Sequence, residues 1–231
     1  TSKVEDMGYL FSGCSSIKSI NVINFITSEV KYMNGMFSGC SSLTSINITN
    51  FDTSNVISMS YMFSLCSSLT SINITNFNTS KVVYLYNMFS GCSSLISINV
   101  TNFVTSEVKE MDNMFSSSLT SINVTNFNTS KVKYIYGMFS GCNSLISINI
   151  SNFDTSNIIY IDYMFSNRKN LTSIDISNFN TSSVKYMEGI FSGCISLLSI
   201  NLENFDTSKV IDMGYMFYNC KNLTYLNIKN T

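Results

Sequence analysis

Residues 36–56 read MFSGCSSLTSINITNFDTSNV, and the rest of the chain repeats this stretch with small edits. Counted from each Thr-Ser pair, units begin at Thr1, Thr27, Thr53, Thr79, Thr105, Thr129, Thr155, Thr181 and Thr207. The period is 26 residues, except in the unit at Thr105, which has 24. A fixed period of this length marks a solenoid, in which each unit buries its apolar face only against its neighbours. The expected organisation is one repeat array over residues 1–231, in nine coils and without a linker. Thr1 already sits in register inside a repeat, so the chain reads as a segment of a longer one.

Within one coil, Val30, Met33, Met36 and Phe37 fall at i, i+3, i+6 and i+7. That spacing predicts one face of a short helix. Thr27 and Ser28 precede it, where a hydroxyl oxygen can accept an orphan N–H of the first turn. Gly39 follows, and Gly13, Gly91, Gly141, Gly193, Asn167 and Asn219 hold the same position in other units. Gly exchanging with Asn predicts a left-handed residue closing the helix, with Leu65 the strained or differently folded exception. Ile46, Asn47, Ile48 and Thr49 then alternate apolar and polar, which predicts a short strand with one buried face. Stacked coil on coil, such strands would form a parallel sheet at about 4.8 Å spacing, roughly 40 Å long. The expected fold class is an α/β solenoid, with strand and helix on opposite sides of each coil.

All 17 Phe fall in two columns, those of Phe37 and Phe51, and all 13 Met in two more, those of Met33 and Met36. Residues confined to columns in this way are expected to fill the core. The short unit runs Phe115-Ser-Ser-Ser-Leu119 where others have the Gly-Cys turn, which predicts a local kink between helix and strand.

Leu43-x-x-Ile46-x-Ile48-x-x-Phe51 resembles the leucine-rich-repeat signature, with Phe in its Asn position. Phe37-Ser-Gly-Cys-Ser-Ser-Leu43 is similar to the F-x-G-C-x-x-L of BspA-like leucine-rich-repeat surface proteins. The NFDTS-x-V continuation resembles the repeat named after mycoplasma surface lipoproteins. The resemblance covers all nine units. It implies a right-handed curved solenoid displayed on a microbial cell surface or outside the cell, linked to adhesion or aggregation, with no catalytic residues. Two departures stand out: the usual polar caps are missing at both ends, and Arg168 replaces Cys in the seventh unit.

The chemistry that the residues exclude is broad. There is no His, which removes Ser-His-Asp, Cys-His and His-metal sites. Seven Cys occupy one column (Cys14, Cys40, Cys66, Cys92, Cys142, Cys194, Cys220). Metal ligands converge on a point, whereas these stand in file, so a ladder of small buried thiols is expected. Cys142 has no Cys in either neighbouring coil, so it cannot be bridged along the file. Glu107, Glu110 and Asp112 read as solvated charges beside Lys109. Charged residues are 12% of the chain and the formal net charge is −1, which leaves no basic patch for nucleic acid. Apolar residues come at most five at a time, too few for a membrane span. The chain is read as a non-enzyme without cofactor or metal.

Two surfaces are candidate contacts. The exposed strand face repeats Ser45-like, Asn47-like and Thr49-like positions, with charges only at Lys18, Asp175, Glu203 and Lys229. Such ladders could simply solvate the face, or present a repetitive surface to a repetitive ligand such as a glycan. Asn47, Asn73, Asn99, Asn123 and Asn149 also stand in N-x-[ST] sequons on five consecutive coils, too close for all to carry glycans. Tyr32, Tyr84, Tyr134, Tyr160 and Tyr186 share a column beside the buried face, and Tyr9, Tyr61, Tyr163 and Tyr215 another. Tyr suits interfaces because it joins apolar area to a polar tip, though it would equally shield the core beneath. The expected partner is a surface protein or glycan of a host or neighbouring cell, held by many weak contacts. The alternatives are a subunit of a head-to-tail fibre or sheath, self-associating through uncapped ends, and a cytoplasmic scaffold with reduced thiols.

Overall fold

The protein is described from a computed structural model, which covers residues 1–115 and 118–228. Residues one period apart lie side by side. Parallel backbone bridges run from Asp6 to Tyr32, Ser58, Tyr84, Glu110, Tyr134, Tyr160, Tyr186 and Asp212 in turn, making the chain a solenoid. The step from Glu110 to Tyr134 absorbs the two-residue shortening without breaking the ladder. Ser116 and Ser117, where the kink was expected, lie outside the described residues, as do Lys229 and Thr231.

The expected helix is not formed, and the described residues contain no α-helix. The reason lies in where the amides point. An α-helix keeps every N–H for the carbonyl four residues back. Here the N–H groups of Met33, Gly35, Phe37 and Gly39 leave the coil and donate to Ser58, Ser60, Met62 and Ser64 of the next one. Between them, Met36, Ser38 and Cys40 close four-residue turns onto Met33, Gly35 and Phe37. Alternating outward amides with turns uses two left-handed residues in each 26-residue coil, which no helix of L-residues accommodates. One is the expected Gly39 column, including Leu65 at φ +59° and Asn167 at +56°. The other is a column that includes Gly35, Gly137 and Gly189, but also Tyr9, Tyr61, Tyr163 and Tyr215 at φ +54° to +59°. Tyrosine in that conformation is uncommon, and an added Cβ on Gly35 or Gly189 would strike the ring of Tyr9 or Tyr163 from the preceding coil. Glycine follows Tyr9 and Tyr163 because each of those rings covers the backbone of the next coil, while Asn87 and Asn113 occupy the middle of the column.

The strand side also differs from expectation. Alternation holds, with Ile46 and Ile48 buried and Asn47 and Thr49 exposed. Yet among the described residues strands on this side pair only as β1 (Ser199–Leu202) with β2 (Tyr225–Ile228), in parallel register, with one further bridge between Ser97 and Ser121. Side chains make the links elsewhere. Thr27 Oγ1 donates to Asp52 O at 3.0 Å and accepts Asp52 N–H at 2.8 Å, fastening one coil to the next. Thr53, Thr79, Thr105, Thr155 and Thr181 repeat both bonds. The Thr of the Thr-Ser pair is therefore a buried cross-coil staple and not a helix cap.

The core matches expectation. Phe37, Phe63 and Phe89 stack in file with centroids 5.6 Å apart, and Met33, Met36, Met59 and Met62 beside them are fully buried. The cysteines form a file of thiols. Those of Cys40, Cys66, Cys92, Cys194 and Cys220 donate to a Phe carbonyl of the preceding coil at 3.0–3.2 Å. Burial pushes Cys92, Cys142 and Cys194 up to about 12, so they are inert at neutral pH. Arg168 occupies the same file, 0% exposed, with Nη2 donating to Leu145 O at 2.5 Å. Among the described residues, its Nε and Nη1 have no hydrogen-bond partner.

Candidate functional site

The sequon spacing of the exposed face has a direct structural meaning. Asn47 Oδ1 accepts both the N–H and the hydroxyl of Thr49, at 3.2 and 2.7 Å. Asn73 and Thr75, Asn99 and Thr101, Asn123 and Thr125, and Asn149 and Ser151 repeat the pair of bonds. Short polar side chains that bond their own backbone two residues on are ordinary turn makers. Here the added hydroxyl bond locks each side chain in one orientation. The five candidate asparagines are thus equivalent and exposed on one face. The same face carries an exposed file of Ser45, Ser71, Ser97, Ser121 and Ser147. A shallow groove lies where Ser97, Asn99 and Thr101 meet Ser121 and Asn123.

A second asparagine column, not singled out from the sequence, does the opposite. Asn50, Asn76, Asn102, Asn126 and Asn204 turn their Nδ2 toward the preceding coil and donate to its carbonyls at 2.7–3.0 Å. Its signal was the invariable Asn before Phe51 and its equivalents, which no solvated face would require.

The candidate tyrosines divide into two groups. Tyr134, Tyr160 and Tyr186 are brought together as a stack, with centroids 5.3 and 4.5 Å apart. Tyr84 and Tyr32 are held apart from that stack, and from each other, by Glu110 and Ser58 in the same ladder. Tyr32 is 40% exposed. The Tyr9-type column gains partners that the sequence reading missed: Tyr86 meets Tyr61 edge-on at 5.1 Å, and Tyr136 lies 5.6 Å from Tyr163. Tyr163 also donates its hydroxyl to Glu188 Oε1.

The acidic residues of the short unit need a correction. Glu107 is paired with Lys131 of the next coil, at 2.7 and 2.8 Å. Asp112 is not a free solvated charge. Its Oδ1 accepts the Tyr136 N–H at 2.8 Å, and burial raises its carboxyl to about 6 despite that bond. Asp162 is held likewise by the Glu188 N–H and is also raised by burial. Among the described residues, no three acidic or cysteine side chains converge as a metal site would require, and no helix is long and apolar enough to cross a membrane.

Comparisons with known proteins extend this picture. The chain is similar to a leucine rich cell surface protein of Faecalibacterium prausnitzii A2-165, at 20% identity and a TM-score of 0.46, over 97% of this chain and 76% of that one. It is also similar to a leucine-rich repeat protein of Bacteroides ovatus ATCC 8483, at 20% identity and a TM-score of 0.31, over 91% and 69%. No curated protein matches it. The model of a family described as "Mycoplasma protein of unknown function, DUF285" matches residues 5–123 and again 117–230. Those two matches span nearly every unit of the array, and the chain belongs to the DUF285 family.

Proposed function

We propose that the chain is a non-enzymatic surface repeat protein, nine coils in one array, that adheres through many weak, identical contacts. The observation that carries this reading is the row of five locked Asn–hydroxyl pairs on consecutive coils, which has no charge within it. No coil needs these side chains for its own stacking, since the staples and the inward asparagines already join coil to coil. A rigid row gains strength by repetition, because each contact after the first forms at high effective concentration. The surface location rests on the similarity of the repeat to those of BspA-like and mycoplasma surface proteins. The Tyr134, Tyr160 and Tyr186 stack supplies a second contact area on the bridged side.

Beads coated with the chain test the reading. They are expected to adhere to epithelial or bacterial cells, and the soluble chain to compete roughly a hundredfold or more less well per molecule. A variant with Asn47, Asn73, Asn99, Asn123 and Asn149 all changed to Ala should melt normally and lose adherence. Full adherence by that variant would remove the face from the proposal.

A further inference from the structure

The locked asparagines define more than a polar surface. Two donors converge on each Oδ1, so that atom is the oxygen and the amide nitrogen points away. Among the described residues, the Nδ2 groups of Asn47, Asn73, Asn99, Asn123 and Asn149 donate to no protein atom, and each side chain is exposed. The partner hydroxyl has spent its proton on Oδ1, so it offers solvent only lone pairs. Each coil therefore presents a fixed donor beside a fixed acceptor.

We infer that this row is a binding site for a neutral, hydroxyl-rich glycan laid across the five coils; the inference rests on the reading of this face as the contact surface. A sugar hydroxyl both donates and accepts, so adjacent hydroxyls of one ring satisfy an Asn amide and a Thr oxygen together. Carboxylate, sulfate and phosphate groups only accept, would leave the Thr lone pairs facing like charge, and meet no cation within the row. An extended peptide also alternates donors and acceptors, but repeats on one side about every 6.6 Å. The coils repeat between about 4.8 Å, the ladder spacing, and the 5.6 Å of the Phe file. A peptide would thus slip out of phase within two or three coils, whereas a pyranose ring is about one coil step long, so a β-1,4-linked chain, whose rings alternate in face, returns to the same side every second coil and stays in phase.

The site also has ends. At Asn21 the residue two along is Ile23, which brings an N–H but no hydroxyl. At the other end Asp175 replaces Asn, and its carboxyl, held low by the hydroxyl and N–H of Ser177, is an ionised acceptor. The row therefore spans four coil steps, roughly 20 Å.

The experiment uses immobilised neutral homo-oligosaccharides of increasing length (β-1,4-linked glucose, N-acetylglucosamine and mannose), with polygalacturonate and hyaluronan as anionic controls. Binding of at least one neutral series is expected to strengthen with length and level off near five rings. Asn99→Ala, at the centre, should weaken the longest oligomer about tenfold. Asp175→Asn, which extends the row by one donor, should move the plateau to a longer oligomer, and this gain is readable even where loss variants fold poorly. Binding of the anionic polymers alone, or length dependence untouched by both variants, overturns the inference. If coated beads adhere to cells through the asparagine face and no neutral oligosaccharide binds, the glycan assignment fails and the adhesive reading stands. Failure of the beads to adhere at all removes both.

Discussion

The two sides of each coil are held together by different means. On the tyrosine side the main chain does the work: bridges join Asp6 to Asp212 coil by coil, and alternate amides from Met33 to Gly39 cross to the next coil. On the asparagine side most links are side chains, through the Thr27-type staple and the inward Asn50-type amides. A backbone link survives any substitution except proline, which removes the donor, whereas a side-chain link depends on one residue type. Hence the tyrosine column tolerates Ser58, Glu110 and Asp212, while Thr and Asn recur without substitution through the interior units.

The largest effect is expected where neither kind of link is complete. Arg168 is buried in the thiol file with two donors unpaired, and a buried charge without a partner is costly. Arg168→Cys should raise the melting temperature by roughly 5–10 °C, on the order of 2–3 kcal/mol. An unchanged or lowered value in a thermal melt would show that the guanidinium is accommodated.

The contrast between the sides is tested next by a pair of variants. Thr79→Val keeps the shape of a fully buried residue but leaves the Val104 N–H and C=O without their partner, and should cost about 2 kcal/mol in denaturant unfolding. Tyr160→Ala removes a stacked ring at 4.5 Å from Tyr186 but leaves its bridge amides in place. It should cost clearly less than Thr79→Val. Equal costs would break the distinction.

Asp112 probes the tyrosine side by pH. Its carboxyl titrates near 6 in the folded chain and lower when unfolded, so the folded state binds the proton more tightly. Its contribution is most favourable below the unfolded value near 3.8, is lost as pH rises to about 6, and is flat above that. Asp112→Asn keeps the acceptor for Tyr136 and should stabilise by about 1 kcal/mol at pH 7, discounting for partial exposure. The gain should vanish below pH 4, as melts across pH would show.

The architecture was legible in the sequence because stacking forces like residues into register: the period, the Phe and Met files, the thiol ladder and the Gly39 column all follow from columns. Leu65, the exception in that column, sits at φ +59°, 59% exposed, over Gly91. The helix was misread because Val30, Met33, Met36 and Phe37 also fit a run of turns whose alternate amides leave the coil, and apolar spacing does not report where an N–H points. Four tyrosines in the Gly35 column hid its left-handed conformation. The Thr-Ser pair looked like a cap because a hydroxyl suits either a turn or a neighbouring coil, and only the stack decides. The five candidate asparagines were legible as exposed and repeated. That their oxygens are consumed and their nitrogens free depended on geometry.

The smallest effect separates the two asparagine columns. Asn102→Ala removes a 2.8 Å bond to Thr75 O and should cost about 1 kcal/mol, whereas Asn99→Ala should stay within about 0.5 kcal/mol.

The central claim, that one asparagine column turns its donors inward and the other outward, is tested most directly by side-chain amide hydrogen exchange followed by NMR. The NH2 protons of Asn76, Asn102 and Asn126 are predicted to exchange slowly, and those of Asn73, Asn99 and Asn123 at the rate of a free amide. Equal protection of both columns would contradict the account, because the exposed face would then offer no donors to a ligand.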